Sequence, residues 1–210
     1  MMAGMEITHQ IVGKAALREL YREPRALAAA KEFDSIDSAT ATFIDRCPFL
    51  VLSTTDGNTV DASPRGGPPG FLQRLDDRHI AIPDLNGNNR LDSLENIAEH
   101  GRAGLLLFMP GRDETVRING PAILTTDSSI LDGFTAELRR PKLAIVVETA
   151  ELYGHCAKAF RRSQMWQPDT WDTAEGTPDL ADIVGTQFDM ESDGIRIALE
   201  DSYVSDLAAD

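Results

Sequence analysis

Apolar positions in this chain come mostly in short alternating runs broken by turn residues, with a few stretches of helical spacing between them. The run Phe49–Thr55 is apolar and β-branched, Asp56-Gly57-Asn58 interrupts it, and residues 59–63 continue extended, which predicts a hairpin. Residues 72–75, the turn Asp76-Asp77-Arg78 and His79–Pro83 predict a second. Further strands are expected over residues 105–109 and 115–126, around the turn Pro110-Gly111-Arg112-Asp113, and over residues 143–152. Helical spacing is found where Ile36, Ala39, Phe43 and Ile44 follow the capping residues Asp34, Ser35 and Asp37 and stop at Pro48. It returns in Leu91, Leu94, Ile97 and Ala98, with Asn88 or Asn89 as the cap and Gly101 as the left-handed stop. Residues 128–138 and 155–166 read as later short helices. At least six strands in hairpins, without regular strand–helix alternation, predict a mainly β fold, an antiparallel barrel with peripheral helices.

Composition narrows the function classes. With 210 residues and 42% hydrophobic content the chain can bury one sizeable core. The organisation expected is an N-terminal helical extension (1–34), the barrel domain (35–168) and an acidic tail (169–210). No apolar stretch approaches the roughly 18 residues of a spanning helix, so no membrane partner is expected. Residues 1–14 lack the basic-then-apolar order of a secretory signal, which points to a cytoplasmic location. Cys47 and Cys156, far apart, suggest neither a disulfide framework nor a thiolate metal site. The net charge of -14 is concentrated at the C-terminal end, where residues 169–210 hold 12 acids against one base, Arg196. Such a field repels a polyanion, so nucleic acid is excluded as a partner.

The common nucleotide signatures are missing: no Gly-x-Gly-x-x-Gly opens a helix after a strand, and there is neither a phosphate loop nor a Gly-x-Ser-x-Gly elbow. His9, His79, His100 and His155 have no metal-ligand spacing, and no metal is expected. What the sequence does hold is a local set of anion-binding parts. Asn86-Gly87-Asn88-Asn89-Arg90-Leu91-Asp92-Ser93 puts a turn, a cap and a guanidinium at a helix start, where unpaired N–H groups and the positive dipole end favour phosphate. Asn89, Arg90 and Ser93 are its candidate donors. Ser63-Pro64-Arg65-Gly66-Gly67-Pro68-Pro69-Gly70-Phe71 is too rich in Pro and Gly to continue a regular ladder, which would leave backbone groups for the polar edge of a flat ligand. Arg117 alternates with Val116 and Ile118 and so faces the opposite side of its strand.

Taken in order, these elements resemble the pyridoxamine 5′-phosphate oxidase-like FMN-binding proteins, and more narrowly an uncharacterised branch of probable FMN-dependent enzymes. The segments that carry the resemblance are Leu17-Arg18-Glu19-Leu20-Tyr21, Pro48-Phe49-Leu50-Val51-Leu52-Ser53-Thr54, Ser63-Pro64-Arg65-Gly66, Pro69-Gly70-Phe71, Ile82-Pro83-Asp84, Gly87-Asn88-Asn89-Arg90-Leu91-Asp92-Ser93-Leu94, Pro110-Gly111-Arg112, Val116-Arg117-Ile118-Asn119-Gly120 and His155-Cys156-Ala157-Lys158-Ala159. The resemblance implies a six-stranded antiparallel split β-barrel, a homodimer, and FMN held without covalent attachment at the subunit interface. It implies that Ser63, Pro64 and Arg65, with Pro83 and Asp84, line the flavin, and that Asn88, Asn89, Arg90 and Ser93 hold its phosphate. Ser93 stands where the oxidases carry a phosphate-binding lysine, which shifts the charge-bearing role to Arg90, Arg65 or Arg117. The oxidases' substrate signature near the C-terminus has no counterpart here, so vitamin B6 oxidation is not implied.

The function expected is an FMN-dependent oxidoreductase acting on a small molecule, with a nicotinamide nucleotide or another flavin completing the cycle. In such a protein the flavin carries the redox chemistry, and no acid–base pair need be visible in the sequence. The helix after the barrel adds a second expectation: if it crosses the dimer interface, Lys158 or Arg162 would face an anionic substrate or the flavin edge, and Trp166 would cover the ring. An alternative on the same barrel is a flavin carrier or a haem binder, for which His155 beside Cys156 is the pairing to consider.

Overall fold

The computed structural model describes residues 7–171 and 176–210, which divide into two compact units, Met1–Glu32 and Phe33–Asp210. In the first, α1 (Lys14–Glu19) and α2 (Ala26–Ala29) are short, have no capping side chain and bury no residue. The second unit opens with α3 (Ser38–Arg46), whose start is fixed by the Asp37 carboxylate accepting the N–H groups of Ala39 (2.8 Å) and Thr40 (3.0 Å).

Strand β1 (Phe49–Thr55) shows the alternation read from the sequence: Leu50, Leu52 and Thr54 are buried, and Val51, Ser53 and Thr55 face the other way. It lies between β2 (Val60–Gly66), on the sheet edge, and β5 (Arg102–Phe108). The strands β3 (Gln73–Arg74) and β4 (His79–Pro83) form the second hairpin, and β4 pairs with β7 (Ala144–Glu148). Helix α4 (Asp92–His100) inserts Ser93, Leu94 and Ile97 and ends at Gly101, whose φ of 63° is the left-handed stop expected there. The 11-residue β6 (Thr115–Thr125) pairs with β5 along one edge. Along the other it pairs with β8 (Glu151–His155) through residues 115–119, then with β7 through residues 122–125. Leu50, Leu52, Ile80, Ile82, Leu105, Leu107, Ile118, Ile145 and Val147 make the centre of the core, each contributing on the order of 1.5–3 kcal/mol by leaving water.

The fold is therefore the antiparallel sheet with peripheral helices expected of a split barrel, with corrections in detail. Among the described residues there are eight strands rather than the six the resemblance implies: the hairpin punctuation already marks seven, β3 among them, and the eighth arises because the single strand expected over residues 143–152 is broken in two. The break has a local cause: the N–H of Thr149 donates to Arg78 O (2.7 Å), while that of Ala150 donates to Asn119 O (3.0 Å), so the chain changes partner there. Gly120 sits opposite the break, and a Cβ on it would lie 1.8 Å from Glu148 O. The strand path runs β2-β1-β5-β6-β7-β4-β3 and is not closed. Contrary to the sequence reading, β2 keeps its ladder through Pro64 and Arg65 to Gly66; as an edge strand it has no second partner, so the missing proline N–H costs no ladder bond there.

The remaining helices are shorter than their sequence patterns. Helix α5 covers Ser128–Leu131, not residues 128–138, and α6 covers Lys158–Ser163, because β8 runs as far as His155 and Gln164 turns left-handed (φ 52°). The acidic tail forms a hairpin of α7 (Leu180–Phe188) and α8 (Ser192–Ala209). Asp179 caps α7 and ion-pairs with Arg196 of α8 at 2.7 Å. Gly185 permits the close crossing, since a Cβ there would lie 2.8 Å from Met190 O. Among the described residues no helix is long and apolar enough to cross a membrane, no three metal-ligating side chains gather, and neither cysteine is in a disulfide.

Candidate functional site

Pairing in β2 decides which side chains face inward. Asp61, Ser63 and Arg65 lie opposite Thr54, Leu52 and Leu50, the buried positions of β1, so all three turn toward the interior side of the edge strand. There they meet the loop after β4 and the first turn of α4. Together they enclose a cavity of about 370 Å³, lined by Asp61, Ser63, Pro64 and Arg65 on one wall and by residues 84–94 on the other.

Polar contacts organise one wall. The Ser93 hydroxyl, buried, donates to Asp61 Oδ2 (2.6 Å) and lies 2.9 Å from Ser63 Oγ. Asp61 Oδ2 is also 3.5 Å from Thr54 Oγ1, which in turn accepts from Asn96 Nδ2 at 3.0 Å. The Ser93 proton and the Asp61 carboxylate are thus already committed to each other. Arg90, on the rim and 73% exposed, ion-pairs with Asp92 at 2.8 Å. Arg65 differs from both: its Nε is buried and has no hydrogen-bond partner among the described residues. A buried guanidinium N–H without an acceptor is a cost that a bound acceptor removes.

The opposite wall is built to leave donors open. The sequence offers Asn88 or Asn89 as the cap of α4, but Asn88 Oδ1 accepts the N–H of Arg90 (3.1 Å), and the capping position falls to Leu91, which has no side chain able to accept. Asn89 (φ 57°) and Leu91 (φ 63°) take the left-handed turn that swings the loop into the helix. The first turn of α4 consequently has no side-chain cap from that residue, at the end where the helix dipole favours an anion. Asp84 stands at the junction. Burial pushes its carboxyl up from the ordinary value, Arg65 and Lys142 pull it down, and Asp210 pushes it up again.

Of the sequence candidates, Ser63, Pro64, Arg65, Asp84, Asn88, Asn89, Arg90 and Ser93 line this one cavity, and Pro83, buried at the end of β4, abuts it. Arg117, Lys158 and Trp166 do not line it. Arg117 is on the opposite face of the sheet, bonded to Glu151 Oε1 (2.6 Å) and lying 4.3 Å over the Tyr153 ring. Trp166 stacks on Phe160 at 5.7 Å, donates its indole N–H to Arg112 O (2.7 Å), and borders with Phe49 and Phe108 a separate apolar hollow of about 580 Å³. Asp61 is not singled out by the sequence, and Asn86 stands there only as the start of the turn. Alternation from Ser63 would have found Asp61, two residues earlier on the same face of β2.

The cavity suits a ligand with an acceptor-rich, anionic end. Two guanidiniums, Arg65 and Arg90, line it with three carboxylates, Asp61, Asp84 and Asp92, so an anion there would be held by directed donors such as Arg65 Nε rather than by net charge. The family model described as pyridoxamine 5′-phosphate oxidase matches residues 36–156, a span containing every residue of this cavity. No curated protein matches the chain. Similar solved structures include HupZ of Group A Streptococcus (17% identical, covering 57% of this chain and 93% of that one, TM-score 0.42). Others are an FMN-binding protein of Syntrophomonas wolfei subsp. wolfei (15%, 59% and 84%, TM-score 0.41) and a FAD-binding protein of Mesorhizobium loti (11%, 57% and 94%, TM-score 0.40).

Proposed function

Because the chain belongs to the pyridoxamine 5′-phosphate oxidase family, whose model covers residues 36–156, we propose that it binds FMN without covalent attachment in the cavity between β2 and α4 and works as an FMN-dependent oxidoreductase on a small molecule. The observation that carries this reading is the buried, unpartnered Nε of Arg65 on the wall of a cavity that an uncapped helix start also faces. Arg65 and the first N–H groups of α4 hold the phosphate. Ser63 and Ser93, tied to Asp61, stiffen the strand wall against which the ligand packs. Asp84, whose carboxyl burial holds toward the protonated form, offers a hydrogen-bonding group to the ring's polar edge. When bound, FMN supplies hydride and single-electron transfer, and the protein's part is to orient it, exclude water and set its hydrogen bonds.

A homodimer belongs to the same proposal. The cavity opens at a sheet edge, and a second subunit laid on the sheet would bury more of a three-ring ligand than one chain does. The test is the absorption spectrum of the full-length protein purified from a flavin-replete host, with mass identification of the released cofactor, followed by nicotinamide-nucleotide oxidation assays. The expected result is a flavin spectrum, FMN in the released fraction and turnover that depends on it. A colourless protein that takes up no added FMN, or a haem spectrum in its place, overturns the reading.

A further inference from the structure

The loop of residues 84–89 has two sides. On the side away from Ser63 it forms, with Arg139-Arg140-Pro141-Lys142, a second and smaller cleft of about 160 Å³ that shares Asp84, Leu85, Asn86, Gly87 and Asn89 with the first. Three cationic residues line this cleft, and Arg140 is paired with Asp132 at its outer side. Its other wall is the last turn of α8. There Asp210 Oδ1 accepts the backbone N–H of Asn86 (2.9 Å), the Asp206 carbonyl accepts from Asn86 Nδ2 (3.4 Å), and the Arg139 N–H donates to the Asp210 carbonyl.

A carboxylate held on a backbone N–H beside a cluster of cationic side chains is what an anion-binding subsite looks like when filled. Here the occupant comes from the chain itself, on a helix that buries no residue along its 18-residue length. The end of α8 is therefore held at the cleft by these hydrogen bonds rather than by a fully buried apolar face of its own. The occupant is also poorly matched: Asp210 and Asp84 are two carboxylates on the same small cleft, and Asp210 adds to the upward push on the Asp84 carboxyl. A free anion that bound there would take over the Asn86 N–H now held by Asp210.

We propose that the cleft between the 84–89 loop and Arg139–Lys142 is a second anion subsite, which takes the phosphate or carboxylate of a small substrate, and that Asp210 is its internal, displaceable occupant. The subsite rests on the FMN reading only in that it adjoins the proposed flavin cavity and would set a substrate's charged group beside it. In that geometry α8 works as a competitor for substrate, and the tail regulates access.

The experiment follows the Asn86 amide resonance of the full chain during titrations with inorganic phosphate and, separately, with acetate at constant ionic strength. Asp210→Asn keeps the side chain's shape and removes its charge, and it is expected to lower the phosphate midpoint about tenfold, the scale of one hydrogen bond to a charged group. Adding Lys142→Ala should abolish that gain, and Lys142→Ala alone should raise the wild-type midpoint. A larger gain for phosphate than for acetate assigns a phosphate-bearing substrate; the reverse assigns a carboxylate. Equal midpoints in wild type and Asp210→Asn overturn the proposal. So does an Asn86 shift that survives Lys142→Ala but is lost in Arg65→Ala, which would put the anion in the larger cavity. Flavin content, read by colour in each variant, is a separate readout: a colourless wild type would end the FMN reading while the Asn86 titration still decided this one.

Discussion

Arg65 concentrates the chemistry of the candidate site in one atom, a buried Nε whose acceptor is not supplied by the described residues. Replacing it with alanine is expected to weaken FMN retention by about 1.5–3 kcal/mol, roughly ten- to a hundredfold in Kd, measured by equilibrium titration of flavin fluorescence. Arg65→Lys should recover only part of that, since an ammonium keeps the charge and loses the planar fork. Arg90, exposed and already paired with Asp92, should contribute less, within the fraction of a kcal/mol typical of surface pairs. Both arginines are legible in the sequence, Arg90 as a guanidinium at a helix start and Arg65 in the Pro- and Gly-rich run after a strand, but their ranking is not. It depends on which one the strand alternation turns inward, and the sequence reading had ended the strand at Ser63, two residues before Arg65. Ser93 was legible as a helix-start hydroxyl, whereas its partner Asp61, 32 residues away, is visible only once β2 lies against α4.

The strand β6 joins the two halves of the sheet by changing partner at Gly120. A methyl group there would collide with the Glu148 carbonyl at 1.8 Å and crowd Ala150 N at 3.1 Å, both backbone atoms that cannot rotate away. Gly120→Ala is therefore expected to destabilise the fold by about 3 kcal/mol or more in denaturant titration, whereas Gly87→Ala, with nothing within 4 Å, should stay within about 0.5 kcal/mol. The sequence showed both β6 and the run at 143–152 as strands, because alternation is local. It did not show the break at Thr149, which is set by hydrogen bonds to Arg78 and Asn119. The α7–α8 hairpin supplies a pH test. The Arg196 guanidinium, with the Asp182 N–H, holds the Asp179 carboxyl down from 3.8 to about 2. A carboxyl lowered by folding stabilises above its unfolded value and loses that contribution as pH falls from 3.8 toward about 2. Far-UV circular dichroism should show helix loss across that window, and Arg196→Ala, which brings the folded value back toward the unfolded one, should flatten that pH dependence and lower the helix content above it.

At the scale of the molecule, the face of the sheet away from the core carries the row Pro64, Val51, Leu106, Arg117 and Tyr153, contiguous through strand pairing. The homodimer proposed above would use this face and reach the cavity at Pro64, which belongs to both. Light scattering of the wild type is expected to give twice the chain mass, and Leu106→Glu, on a half-buried position of this face, should give a monomer with lowered flavin retention; a dimer unaffected by the charge would move the interface elsewhere. The antiparallel sheet with peripheral helices was legible from hairpin punctuation, but the choice of face was not, because each strand offers two. The edge strand β2 has a further consequence. An exposed strand edge is a template on which other chains can polymerise, and β2 resists this with Pro64, which lacks an N–H, and with Asp61 and Arg65 turned inward from the same strand. The residues that line the cavity therefore also guard the edge. A double replacement Pro64→Val and Arg65→Val, which on propensity alone improves the strand, should turn β2 into an adhesive border, seen as thioflavin-positive aggregates growing with protein concentration.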